Sequence, residues 1–249
     1  MTASGTAHPL TAVAALPGVP EAVGEAREVV DRLLGHRALR RHAPAVAAET
    51  ALRGAWASAA LAGMEVPLDE LRQAPPDAPV VQGALRVAGE VGPLLPVWRR
   101  APGQALAKLH ALAAADVVPA AECGRPASPT AAQRLQALPQ VLDAPMDVSA
   151  IVVSAVVHGE VASLPAFAWG SELVAQPAGR LVLLARGLDR KGLLAPEVGH
   201  LELRDEYEAA LAGYGTGTAG LARWVVHCAA AVRLGAQDGL AVCEALLRG

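Results

Sequence analysis

A chain of 249 residues is long enough to bury about 70–75% of its unfolded surface, so one core needs neither metals nor disulfides. Hydrophobic residues make up 53% and aromatic residues only 3%, so the core is expected to be built from Ala, Leu and Val, a composition that favours close-packed helices. A net charge of −3 gives no electrostatic footprint for nucleic acid.

The Arg37–Arg41 run (RALRR) reads as a solvated helix end. Cys123, Cys228 and Cys243 have neither zinc nor disulfide-framework spacing and point to a reducing compartment. No basic segment followed by an apolar run opens the chain, and no apolar run reaches the roughly 18–20 residues of a membrane span. The expectation is a cytoplasmic, soluble protein with no membrane or nucleic-acid partner.

In chain order, residues 1–19 read as a flexible segment and 20–249 as one helical domain. Val23, Val29, Val30, Leu33 and Leu34 share one face of a first helix that starts at Pro20, a residue suited to a first turn. A second helix follows Pro44 and stops at Gly63. MEVPLDELR gives an extended piece and a helical turn from Pro67, and a Pro-rich break precedes the segment Val80–Leu95. Pro102 opens a helix containing Leu106, Leu109 and Leu112. Residues 117–130 are a loop by composition.

Thr130–Leu142 and Val148–Leu164 are expected helices, the latter so apolar that it reads as central. A break around Pro165–Gly170 leads to another apolar helix ending near Gly187. A loop with Pro196, a short helix Asp205–Leu211, a flexible turn (GYGTGTAG), and helices Leu221–Leu234 and Gly239–Leu247 complete the chain. No sustained two-residue alternation marks a sheet, although 160–175 allows a short β-hairpin. The fold class is therefore all-α.

The break holds the only Phe, one of four Trp and a Gly-Ser-Glu entry to the next helix. Ser171 fits an N-cap and Glu172 a first-turn position favoured by the helix dipole. Pro177 makes a start at Gln176 the alternative, because proline disrupts a helix interior. Phe167 and Trp169 suit a partner contact, a ligand stack or an intramolecular lid. His158 and Glu160, on the central helix, are the candidates for acid–base work, against a hydrogen-bonded core His. Arg180 is a candidate anion contact, against an ion-pairing role. No dinucleotide fingerprint, nucleophile elbow or metal-ligand spacing occurs, so no cofactor and no metal are expected.

The order of segments resembles the Fic/Doc family, from about Ala45 to Cys228. ETALRGAWASAALAGMEVPLDELR is similar to the family's upstream helix with [ST]-x-x-x-E-[GN]. LAKLHALAAA followed by CGRP resembles its LHxxL helix and the loop after it, VVHGEVASLPAF its central helix, and EYEAAL with ARWVVHCAAAV its closing helices. The resemblance implies an all-α Fic-like bundle and, in intact members, transfer of AMP from ATP to a hydroxyl. It makes Arg125 a candidate ligand contact and His110 a packing residue.

The family motif H-P-F-x-[DN]-G-N-G-R-x-x-R falls without gaps on Pro165 to Gln176, and only Phe167 and Gly170 match. Pro165 stands where the family has its general base, and proline cannot accept a proton. Trp169 stands at the Mg²⁺-holding acid. Glu172 and Leu173 replace parts of the phosphate-cradling turn, and Gln176 the second Arg. Ala62, in Ser58–Gly63, stands where the family carries an inhibitory Glu. The reading is a degenerate Fic-like domain without AMP transfer that binds a protein partner or small ligand. The alternatives are an enzyme with relocated chemistry on a phosphorylated substrate, using His158, Glu160, Ser171 or Arg180, and a helical bundle whose likeness is accidental. Ligand, partner and oligomeric state are not legible.

Overall fold

The computed structural model describes residues 7–248. Twelve helices follow one another and no strand occurs among the described residues. They are α1 (Pro9–Ala14), α2 (Val19–Leu34), α3 (Leu39–Leu61), α4 (Leu68–Gln73), α5 (Pro79–Arg100) and α6 (Pro102–Ala113), then α7 (Pro129–Leu142), α8 (Ala150–Ala162), α9 (Ser171–Ala185), α10 (Pro196–Glu202), α11 (Arg204–Gly213) and α12 (Thr218–Arg248).

The apolar run of the central segment forms α8, buried from Ile151 to Gly159. A helix apolar on all sides belongs inside a bundle. It pairs most extensively with α9, itself buried from Leu173 to Leu184. α5 packs on α9 and on α3 and α6, while α12 packs on α2, α8, α10 and α11. Ser128 and Ser149 cap α7 and α8 by accepting from the N–H groups of Ala131 and Ile151.

Several boundaries differ from the expectation. The N-terminal segment expected to be irregular up to residue 19 carries α1, anchored by buried Leu10 and by His8, whose Nδ1 accepts from the Leu10 N–H at 3.2 Å. Residues 1–6 of that segment lie outside the described residues. Prolines lie inside helices: Pro44, expected just ahead of the second helix, is in α3, Pro93 and Pro96 are in α5, and Pro177, expected to move a helix start to Gln176, is in α9. An interior proline costs about 3 kcal/mol or more, yet helices packed on several sides take more from burial than one missing hydrogen bond removes.

Pro196–Glu202, expected as loop, is helical and mostly buried. The two closing helices are one, α12, and at Gly235 it passes so close to Ala195 that an added Cβ would sit 2.7 Å from its carbonyl carbon. Here glycine serves approach and does not break the helix. The short hairpin allowed at 160–175 is absent. The Ala166 amide bonds to Val161 O and the Ala166 carbonyl accepts from Ala127 N–H, which leaves no ladder between the two arms.

Candidate functional site

The break between α8 and α9 is a tight turn held from α6. The His110 imidazole lies flat on the Phe167 ring, centroids 4.2 Å apart and planes 6° from parallel. His110 Nδ1 accepts from the Gly124 N–H at 2.7 Å. That fixes the tautomer, since an amide can only donate. Nε2 therefore carries the proton and donates to the Trp169 carbonyl at 3.1 Å. Burial holds the His110 pKa below its ordinary value, in keeping with a neutral ring. His110, read from the sequence as packing, is the clasp of the loop.

Gly170 has φ 68° and sits at the N-cap of α9, a left-handed conformation that glycine adopts without cost. The expected N-cap, Ser171, is instead the first helical residue. Its hydroxyl accepts from the Phe167 N–H and donates to the Phe167 carbonyl, both at 3.0 Å. α9 runs from Ser171 through Gln176 and Pro177, so the start at Gln176 is set aside. Glu172 is in the first turn, half-buried. Burial and, to a lesser degree, the Glu208 carboxylate push its pKa up. Trp169 is half-buried against the core, and Arg125 is exposed on the loop beside Gly124.

His158 and Glu160 are not brought together. Two residues apart on a helix, they face different ways. His158 is 4% exposed, and its Nε2 lies 3.2 Å from the Tyr207 hydroxyl. It meets His200 and Trp224 edge-on, centroids 5.0 Å away in both cases. Burial lowers its pKa to about 3, assisted by His227. His200 Nδ1 lies 2.9 Å from His227 Nε2, so one of these rings donates to the other. Burial depresses both, His227 to about 4. Glu160 accepts from Arg134 Nε at 2.8 Å and from the Tyr214 hydroxyl at 2.7 Å, while Arg134 also donates to Ser163 Oγ at 3.0 Å. Arg134 and Glu160 border two open clefts, of about 630 Å³ and 510 Å³, and Ser163 and Tyr214 line the larger.

Arg180 is buried, with Glu197 Oε1 3.7 Å from its Nη1. It shares an internal chamber with His158, Gln176, Glu197 and His200. Ser58 of α3 donates to the Gln176 carboxamide oxygen. Glu197, His200, Tyr207 and His227 had no sequence signal: Glu197 and His200 lie in the segment read as loop, and Tyr207 and His227 meet them only through the packing of α10, α11 and α12. No set of three or more His, Cys, Asp or Glu among the described residues is placed to hold a metal ion, and no described helix is long and apolar enough to cross a membrane.

No family model and no curated protein matches the sequence. Solved structures do. A Fic family protein from Desulfovibrio desulfuricans G20 superposes with a TM-score of 0.76 at 18% identity, over 91% of this chain and 75% of that one. A segment of Fic-1 from C. elegans superposes at 0.68 and 15% identity, over 91% and 73%. The chain has a Fic-like, all-α fold.

Proposed function

We propose that this Fic-fold protein has given up AMP transfer and works by binding a protein partner or a small ligand. One observation carries the reading: the turn between α8 and α9 is filled and fastened by the protein's own groups. Phe167 is stacked on His110, and Ser171 is spent on the Phe167 backbone. In the gapless alignment the base position is Pro165. Glu172 puts a carboxyl at the α9 N-terminus, where the helix dipole already has an anionic partner. Gln176, in place of the second motif Arg, is bound by Ser58.

The Glu160 clefts support the ligand half of the proposal. Their volumes fall within the range of roughly 300–1,000 Å³ usual for small-molecule sites. Relocated catalysis finds less support, because His158 and Arg180 are enclosed and Ser171 is committed to the turn.

Calorimetric titration with ATP, with and without Mg²⁺, together with transfer of labelled AMP to proteins, tests the proposal. No heat and no transfer are expected. Label on any protein would overturn it, while Mg²⁺-dependent binding in the micromolar range without transfer would show that Glu172 does not bar phosphates from the α9 N-terminus.

A further inference from the structure

α9 and α10 face each other across a chamber with about 10 Å³ of room for the centre of a water-sized molecule. That is the space of about one water. Its walls combine apolar groups such as Ile151 and Val232 with polar side chains that are nearly dry: Gln176 is 4% exposed, Arg180 6% and Glu197 3%. Glu197 Oε2 and Gln176 Nε2 have no hydrogen-bond partner among the described residues. The Arg180–Glu197 contact, 3.7 Å, is too long for a direct hydrogen bond. A polar contact of that length between buried groups is the usual setting for a bridging water. α3 approaches the same pair at Gly54, where an added Cβ would lie 3.2 Å from Arg180 Nη1 and 3.5 Å from Glu197 Oε2.

We infer that the chamber is a built site for a single internal water, which accepts from Arg180 and Gln176 and donates to Glu197 Oε2. The geometry supplies what such a molecule needs, two donors, an acceptor and its own volume, all lining one enclosure. The water completes an ion pair that is otherwise too long, and joins α9 to α10. Through the Ser58–Gln176 bond the same network reaches α3.

Oxygen-17 relaxation dispersion, which counts waters held inside a protein, tests this on the full chain. The wild type should hold one more such water than an Arg180→Leu/Glu197→Leu double variant of native circular dichroism. Glu197→Gln, which still offers an acceptor oxygen, should keep it. Equal counts in wild type and double variant would overturn the proposal. A crystal structure of the unaltered protein at high resolution gives an independent reading that needs no variant. Water density within hydrogen-bond distance of Gln176 and Glu197 supports the site. A chloride, identified by bromide replacement, or a collapsed chamber refutes it.

Discussion

His110 and Phe167 form one stacked unit with rings 4.2 Å apart, and the imidazole also ties two backbone segments together, at Gly124 and Trp169. One side chain of α6 thus sets the shape of the turn between the two central helices. Phe167, 1% exposed, is the apolar half of the unit. Replacing it by Ala should cost about 3–5 kcal/mol, the usual range for a buried aromatic. Urea unfolding measures the loss, and amide exchange should quicken at residues 165–171 before it does elsewhere. A cost under about 1 kcal/mol would mean that the turn holds without the stack.

Buried histidines make the protein acid-sensitive. In the unfolded chain each takes a proton near pH 6.5, whereas folded His158 and His227 stay neutral down to about 3 and about 4, and folded His200 lies well below its ordinary value. Between pH 6.5 and about 4 the unfolded state holds more protons, so stability falls as pH falls, by up to about 1.4 kcal/mol per pH unit for each ring. Glu172 and Glu197, whose carboxyls burial pushes up, act in the opposite sense and make the acid arm shallower. Urea midpoints at pH 7.5, 6 and 5 should decline steadily below 6.5. His227→Gln, which keeps a hydrogen-bonding group toward His200, should flatten the slope. A level profile in that window would count against the buried neutral rings.

What the sequence could reveal depended on whether a residue's surroundings were local. The α8 run was legible because a helix apolar on every side has one place to go. Phe167, Trp169 and Gly170 stood out as a break between apolar helices, and the break is where the chain turns. Ser171 suits either a forward cap or a bond back to Phe167 by its type, and in the fold its hydroxyl bonds back to Phe167 while left-handed Gly170 takes the N-cap. The Pro196–Glu202 segment reads as a loop around Pro196. It is a buried helix because the partners of Glu197 and His200, Arg180 and His227, come from α9 and α12. Such pairings across the chain carry no periodicity. Helix ends set by proline and glycine rules failed where tertiary packing outweighed a local cost of a few kcal/mol.

Arg180 and Glu197 illustrate the asymmetry of buried charge. Leaving one partner alone strands a charge, or a polar acid, away from water. Arg180→Leu or Glu197→Leu should each cost about 3–5 kcal/mol, while the double Leu variant should recover much of the loss, since an apolar pair of similar volume is often neutral or better. Denaturant unfolding of the four proteins completes the cycle. Additive losses would mean that the two groups act independently despite their 3.7 Å separation.

Gly159 sits on α8 directly beneath the Tyr214 ring. An added Cβ would lie 2.5 Å from its Cε2 and 2.7 Å from its Cδ2, well inside van der Waals contact. Tyr214 cannot simply swing away, because its hydroxyl donates to Glu160 at 2.7 Å and its ring packs near Trp224. Gly159→Ala should therefore cost about 1–3 kcal/mol through overpacking. In a Tyr214→Ala background the clash is gone, and Ala is the better helix former by about 1 kcal/mol. There the same substitution should stabilise. Urea unfolding of both single variants and the double variant reads this reversal of sign. Equal costs in the two backgrounds would place the obstruction at Gly159 somewhere other than the Tyr214 ring.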